Sequence, residues 1–218
     1  MRMLGQSITR NSALLALFAL VTALLITSTY LLTRDTIAQE RRQAEQRALL
    51  EVIPQERHDN SMLDDTLPLP ADTPGLGLRE DRQLYIARLE GKAVAVIVPV
   101  LVRDGYSGDI ELIVGVNHDG SIAGVRVLNH RETPGLGDKI DLKKSDWILG
   151  FSGRSLDNPP PQRWGVKKDG GVFDQFTGAT ITPRAVVAGV QRALLFVESR
   201  RAMLFDTPAP KPLAGDPA

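Results

Sequence analysis

A turn of small residues runs directly into an amphipathic helix in the stretch DQFTGATITPRAVVAGV, residues 174–190. Thr182 is a good N-cap and Pro183 suits the first helical position, so the sequence predicts a helix from Pro183 to about Arg201. The predicted helix closes a domain by burying an apolar stripe made of Val186, Val187, Val190, Leu194 and Val197.

The turn before this helix predicts an anion site. A helix N-terminus presents free N–H groups and the positive end of the helix dipole, and a phosphate suits both. Gly178 and Ala179 let the backbone approach a ligand closely, and Thr177 and Thr180 place a hydroxyl on either side of them. The alternative is an ordinary capped turn without a ligand, because Thr-Gly turns are common at helix starts.

Four segments of the chain carry a family resemblance. Asp-x-x-Thr-Gly-Ala-Thr at 174–180 resembles the flavinylation motif of FMN-binding domains in bacterial membrane redox complexes. HRETPGLGDK at 130–139 resembles the second characteristic block of that family, and residues 106–108 and 167–171 match further segments. The resemblance reaches from the N-terminus to about residue 200. It is strongest for the G subunits of Rnf (Rsx) electron transport complexes, and the C subunit of sodium-translocating NADH:quinone reductase shares the core motif.

This resemblance implies that Thr180 carries FMN through a phosphoester bond. Thr177 and Asp174 are then expected to shape the turn and to bind backbone or ribityl groups, beside the close approach allowed by Gly178 and Ala179. For Asp174, helix capping or a plain surface turn explains the residue almost equally well.

The second block is expected to line the flavin. Glu132 and Thr133 begin the turn, Leu136 is expected to pack on the ring face, and Gly137 is expected to let the backbone approach a flat ring. Without the resemblance, the block is an ordinary loop between a strand and a helix.

Other residues are secondary candidates for the same site. Lys167 or Lys168 is expected to pair with the phosphate or with the reduced flavin, although solvated lysines are the default. A histidyl flavin bond at His130 ranks below Thr180, because the phosphoester motif is complete. Ring neighbours or core aromatics are the two interpretations of Tyr106, Trp164, Phe173 and Phe176.

Composition excludes several classes of redox and binding protein. The 218 residues carry 26 basic and 26 acidic side chains, so the charge balance gives no reason to expect nucleic-acid binding. The absence of cysteine excludes disulfides, cysteine-ligated iron–sulfur clusters, a thioether haem and a cysteinyl flavin. The three histidines have no metal-ligand spacing, so an electron carrier here is expected to be organic.

An uncharged N-terminal run predicts a membrane anchor. Residues 11–33 carry no charge, and as a helix they would span roughly 34 Å, enough to cross a bilayer. A cleaved signal peptide is the alternative, but the run is long and no Ala-x-Ala site follows it. Counting Lys and Arg alone weakly favours the opposite orientation. The resemblance implies a short cytoplasmic segment at 1–10 and a periplasmic domain at the bacterial inner membrane.

The rest of the chain predicts an α+β protein with one domain. Residues 34–80 are expected to form a stalk helix, which ends before Pro54, and a loop. Residues 81–206 are expected to form an FMN-binding domain with a twisted, mostly antiparallel sheet and flanking helices, and 207–218 a disordered tail. The predicted strands are 83–89, 93–101, 110–116 and 122–128, with Pro99 at an edge or a bulge, and Ser145 is expected to cap a short helix.

Two functions of different classes fit these observations. The first is a membrane-anchored electron-carrier subunit of an Rnf-type ion-translocating complex, with covalent FMN, the other subunits of the complex as partners, and a flavin transferase for maturation. The chain lacks a Gly-x-Gly-x-x-Gly fingerprint and an acid–base constellation, so we predict no substrate-converting site of its own. The alternative is a membrane-tethered module that binds or senses a flavin or phosphate ligand non-covalently.

Overall fold

The structure is a computed structural model, which describes residues 2–209 and all of their side chains except those of residues 2–9 and 41. The chain forms two compact units, residues 1–45 and residues 46–218. Helix α1, Arg2–Val52, forms the described part of the first unit. Its last residues, from Gln46 onward, belong to the second unit. Most of the predicted tail, residues 210–218, lies outside the described residues.

Helix α1 is continuous where the sequence suggested three segments. It joins the predicted N-terminal segment, the anchor and the stalk, because no Gly or Pro interrupts the chain between Gly5 and Pro54. Its most apolar stretch has a mean hydropathy of 2.2, and none of that stretch is buried. Within residues 2–209, α1 is the one helix long and apolar enough to cross a membrane, by length and composition.

The second unit is built on a five-stranded sheet, which confirms the α+β class. The strands are β1 Thr66–Leu69, β2 Arg82–Leu89, β3 Lys92–Val102, β4 Ile110–Asn117 and β5 Ile122–Asn129. They lie in chain order and every adjacent pair is antiparallel. The four longer strands confirm the predicted ones.

Two prolines, Pro68 and Pro99, lie in strands at positions that have a neighbouring strand on one side only. The sequence predicts a loop where β1 lies, because residues 54–80 are rich in Pro, Asp and Gly, but β1 is an edge strand, where the missing N–H of Pro68 is tolerated. Pro99 lies in β3, a central strand, and pairs with Ile113 of β4. Pairing between β3 and β2 ends at Ile97, so Pro99 has a neighbouring strand on one side only, as at an edge.

Both faces of the sheet are buried, by different parts of the chain. Helices α2, Ile181–Ser199, and α3, Arg201–Phe205, cover one face together with the loops after β5. The end of α1 and the segment after it cover the other face, through Leu49, Val52, Ile53 and Met62. Successive side chains of β3 point to opposite faces of the sheet, so β3 contributes to both cores. Val96 and Val98 face α2, while Ala95 and Ile97 face the end of α1. The compact unit that contains the sheet begins at Gln46.

A slot between two glycines receives the end of α1. Gly115 of β4 and Gly124 of β5 are paired, and Val52 lies against both. A Cβ on Gly115 would lie 2.4 Å from Val52 Cγ1, and one on Gly124 would lie 3.2 Å from the Val52 carbonyl oxygen. Arg126 of β5 fixes the same helix end by donating to the Glu51 carboxylate and carbonyl, each at 3.0 Å.

The two ends of the α2 region differ from the sequence-based boundaries. Helix α2 begins at Ile181 with Thr180 at the N-cap, so Thr182 is not the cap and Pro183 is the third helical residue. Thr182 is buried, and its hydroxyl donates to the Glu132 carboxylate. At the other end, Thr207 and Pro208 belong to the predicted tail, yet their carbonyls accept hydrogen bonds from the buried Arg88.

Short 3-10 helices connect the sheet to α2. They span Gly137–Ile140, Asp146–Phe151, Pro161–Arg163 and Lys167–Asp169. The second confirms the predicted cap, because the Ser145 hydroxyl accepts the Trp147 N–H at 3.2 Å.

The glycine slot gives a first prediction. Gly115→Ala is expected to lower the free energy of unfolding by about 1–3 kcal/mol, because the new methyl overlaps Val52. Adding Val52→Ala should recover part of that loss. The double variant should therefore lose less free energy of unfolding than the two single variants lose in total. Urea unfolding of the full chain in detergent, followed by fluorescence of the two tryptophans, measures this coupling. Strict additivity would show that Val52 does not occupy the slot.

Candidate functional site

Thr180 presents a free hydroxyl at the start of α2. The residue is partly buried, has φ −72° and ψ −25°, and makes no side-chain cap bond. Within residues 2–209 its hydroxyl has no protein partner, and the N–H groups of Thr180, Ile181 and Thr182 reach no protein acceptor. This arrangement leaves one hydroxyl and several donors open at the positive end of a 19-residue helix.

The turn before Thr180 is tight and exposed. The Ala179 N–H donates to the Phe176 carbonyl at 3.1 Å. Gly178 has φ +81° at the third turn position, the value of a type II turn, which a residue with a side chain rarely adopts. Thr177 and Gly178 are both exposed, and the Thr177 hydroxyl has no protein partner within the described range. A second hydroxyl therefore lies open near Thr180.

The loop after β5 reaches this turn through Leu136. Its Cδ2 lies 3.8 Å from the position that a Cβ on Gly178 would take. Leu136 and Thr133 are exposed, and the Thr133 carbonyl accepts the N–H groups of Leu136 and Gly137 at 3.1 Å each. The structure thus brings together the two sequence blocks, which lie more than forty residues apart in the chain, and leaves an apolar side chain open beside the turn.

Glu132 joins three segments below this surface. Its side chain is 4% exposed. Oε2 accepts the Thr182 hydroxyl at 2.5 Å, and Oε1 accepts the Ser107 N–H, in the β3–β4 loop, at 3.0 Å. Both oxygens are therefore used by the protein, one by the first turn of α2 and one by a separate loop. Glu132 lies beside the site and holds it together.

Gly137 makes a close approach, but to protein rather than to open space. A Cβ there would lie 2.8 Å from Glu132 Oε2 and 2.9 Å from Thr182 Oγ1. The residue is buried and its φ is not in the left-handed region. The structure therefore gives a packing reason for this glycine, where the sequence suggested contact with a flat ring.

Two ion pairs fix the loop between Trp164 and Asp174. Lys167 Nζ lies 2.6 Å from Asp174 Oδ1, so these two predicted site residues pair with each other on the surface. Arg184 of α2 holds Asp169 through two bonds of 2.5 and 2.6 Å. Hydrogen bonding from Arg184 lowers the pKa of Asp169 below its usual value, and Asp169 raises the pKa of Arg184. Lys168 is exposed, and its N–H donates to the Gln175 side chain at 3.1 Å.

The aromatic candidates separate into core and surface. Trp164, Phe173 and Phe176 are buried, and the first two pack against Phe151. Tyr106 is exposed, one residue before the Ser107 N–H that Glu132 holds. Core packing is thus the role of three of the four.

Trp147 contributes a contact that sequence analysis did not single out. Its Nε1 donates to the Asp174 carbonyl at 2.8 Å, and its ring meets Phe176 edge to face with centroids 5.1 Å apart. Together they support the start of the motif from below. No local sequence signal distinguishes this tryptophan from a core residue.

An open pocket lies elsewhere in the domain. It has a volume of about 730 Å³ and is lined by Arg57, Lys92, His118, Phe205 and Pro208, among others. Thr180 and the loop after β5 are not part of it. The start of α2 is the candidate site, because free donors, an open hydroxyl and the two motif blocks meet there.

Two segments of the chain match known protein families. Residues 105–195 match the FMN-binding domain family, and residues 1–52 match the RnfG N-terminal region. The chain is therefore a protein with an FMN-binding domain behind an N-terminal region of the RnfG type.

Similar proteins, each named as the G subunit of an ion-translocating oxidoreductase complex, occur in several bacteria. The one from Pseudomonas aeruginosa PAO1 is 50% identical over 210 residues, covering 96% of each chain. That from Shewanella loihica is 46% identical over 204 residues, or 94% of this chain and 96% of the relative. The Vibrio cholerae protein is 43% identical over 204 residues, or 94% and 97%. The chain belongs to this family, the G subunits of ion-translocating oxidoreductase complexes.

The packing of Gly137 gives a second prediction. Gly137→Ala should lower the free energy of unfolding by about 1–3 kcal/mol even without flavin, because the methyl disrupts the bond between Thr182 and Glu132. Gly150→Ala is the matched control, since a Cβ there meets no atom within 4 Å. The control should stay within about 0.5 kcal/mol of wild type. Equal stability of the two variants in urea would contradict the packing role.

Proposed function

We propose that this chain is an electron-carrier subunit of an ion-translocating oxidoreductase complex and holds FMN as a phosphoester on Thr180. The observation that carries the proposal is the unpartnered Thr180 hydroxyl at the N-cap of α2, beside the exposed Thr177–Gly178 turn. Leu136, from the other motif block, lies against that turn. An FMN-binding domain needs a place for a phosphate, and this is where the chain offers one.

The electrostatics of the helix start suit a phosphodiester. After attachment to a threonine, the flavin phosphate keeps one negative charge. The free N–H groups of Thr180, Ile181 and Thr182 and the α2 dipole stabilise that charge. Lys167 is held by Asp174, so its charge is partly compensated, and we assign it to fixing the motif rather than to holding the phosphate alone.

The chemistry of attachment requires a partner enzyme. Joining free FMN to a hydroxyl would release water and is unfavourable in water, so the donor must be an activated flavin nucleotide pyrophosphate. The Thr180 oxygen bonds to the flavin-side phosphorus, the bond from that phosphorus to the bridging oxygen breaks, the nucleotide monophosphate leaves, and the hydroxyl proton is lost. No described side chain accepts a hydrogen bond from the Thr180 hydroxyl, so we assign removal of its proton to a flavin transferase.

Bound flavin supplies one- and two-electron redox chemistry, and this chain supplies the site. The turn at 177–180 would hold the phosphate, Thr133 and Leu136 would border the ring, and Glu132 would act by holding the loops around it. A phosphoester leaves the ring chemically unaltered, so its electrostatics are set by these neighbours. Because the chain lacks a dinucleotide fingerprint, NAD(H) would react on another subunit of the complex.

The N-terminal half of α1 would anchor the carrier. Its apolar side chains are exposed along the helix, including Leu14, Phe18, Leu24 and Leu31. We place the anchor in the bacterial inner membrane, with the FMN-binding domain on the periplasmic side. Burial of about twenty apolar residues in lipid suffices to hold one span.

The attachment site gives a third prediction. Thr180→Val should abolish covalent flavin while the domain still folds, because it removes the hydroxyl and keeps a β-branched side chain. Co-expression with a flavin transferase, followed by intact mass spectrometry and in-gel flavin fluorescence after denaturing electrophoresis, measures occupancy. Thr177→Val is the matched control, three residues away in the same turn, and should keep the adduct.

The control also separates the alternatives. An adduct lost in Thr177→Val and kept in Thr180→Val would move the attachment by three residues. Flavin that co-purifies with the wild type under native conditions and leaves on denaturation would favour a non-covalent flavin-binding module, for which the free N–H groups at α2 provide the phosphate site.

The anchor gives a fourth prediction. The full chain should stay with membranes in high salt, because hydrophobic burial is not screened by ions. Membranes washed with 1 M salt (an ionic strength at which the Debye length is about 3 Å) should retain the protein, and detergent should release it at full length. A shortened chain in the soluble fraction would instead show cleavage of the N-terminal segment.

A further inference from the structure

Asp138 carries a buried oxygen with no partner. The residue follows Gly137 in the loop after β5 and is 7% exposed. Its Oδ1 is inaccessible and accepts no hydrogen bond from any of residues 2–209. Buried carboxylate oxygens are normally satisfied, because an unmade bond leaves the full cost of desolvation.

Other buried acids of the domain are satisfied by the protein. Glu132 accepts from Thr182 and Ser107 through its two oxygens. Asp65 is paired with the buried Arg88, with Nε to Oδ2 at 2.6 Å. Among the side chains that the structure describes, Asp138 Oδ1 is the only buried oxygen or nitrogen that lacks a partner. The missing partner of Asp138 Oδ1 therefore needs an explanation that is specific to this position in the fold.

Asp138 directly follows two residues that pack at the proposed flavin site. Gly137, directly before it, packs on Thr182 in the first turn of α2, and Leu136 reaches Gly178 in the turn that leads to Thr180. FMN brings hydrogen-bond donors that a carboxylate can use, namely the imide N–H of the ring and the ribityl hydroxyls. The unmet acceptor and these donors are complementary.

We propose that FMN binding opens the packing over Asp138 Oδ1, so that this oxygen accepts a hydrogen bond from the flavin and Asp138 becomes a cofactor-binding residue. The inference rests on the proposed function for the place of the flavin. The carboxylate is left unpaired until the cofactor arrives, so it lowers the stability of the empty domain and contributes to that of the loaded domain.

The test compares each variant in two states. The full chain is produced without and with flavin transferase, and the melting temperatures of the empty and loaded forms are measured. Asp138→Ala removes the acceptor, so the empty form should melt no lower than wild type, while the rise in melting temperature on loading should shrink. Asp138→Asn keeps an acceptor oxygen without the charge, so it should retain more of that rise.

Asp65→Asn is the control for loss of a buried acid. It should lower the melting temperature of both forms and leave the rise on loading unchanged, because Asp65 pairs with Arg88. Two outcomes would overturn the proposal for Asp138. In one, Asp138→Ala lowers both forms equally, so the carboxylate is satisfied within the empty protein. In the other, the rise on loading equals that of wild type, so Asp138 does not contact the flavin.

Two further measurements identify which flavin group donates to Asp138 and test covalent attachment separately. A shift of the flavin absorption and midpoint potential in Asp138→Ala identifies the ring imide as the donor, and unchanged values with a reduced rise identify a ribityl hydroxyl. The adduct mass in wild type tests attachment separately. If no adduct forms, the same melting comparison with saturating free FMN still tests Asp138.

Discussion

The bond between the Thr182 hydroxyl and the buried Glu132 carboxylate holds the site together. Glu132 also accepts the Ser107 N–H, so one side chain fixes the β3–β4 loop, the loop after β5 and the first turn of α2. Charge-assisted hydrogen bonds of this kind are among the stronger ones in proteins, and removing one partner would leave a buried charge unsatisfied. Gly137 has to be a glycine because this bond passes where its side chain would be.

The same bond explains why Thr180 is free. Successive residues in a helix turn by about 100°, so side chains two positions apart point to nearly opposite sides. Thr182 faces inward to Glu132, and Thr180 therefore faces outward with an unpartnered hydroxyl. In the proposed function, positioning and attachment are divided between two threonines of one turn. Thr182 orients the helix start, and Thr180 receives the phosphate.

Much of the fold follows from local sequence patterns, and most of the site geometry does not. Alternation and turn residues predict the four long strands, and the uncharged run predicts the apolar helix. β1 escapes such patterns because its proline suits only an edge, and edges are decided by tertiary pairing. The motif locates Thr180, but capping preference puts the cap two residues late, since it does not reveal that Thr182 has a buried partner. Trp147 and Asp138 carry no local signal, because their roles come from burial and from contacts made by distant segments.

The sheet links the site to the end of α1. Both of its faces are buried, so α2 rests on one face while Leu49, Val52 and Ile53 press on the other. The paired glycines 115 and 124 admit Val52, and Arg126 holds Glu51, so the last turn of α1 has a defined place in the domain. Interiors packed to this degree deform little. A cofactor fixed at the start of α2 would therefore keep a fixed position relative to the point where the chain enters the domain, as a carrier serving fixed neighbouring subunits requires.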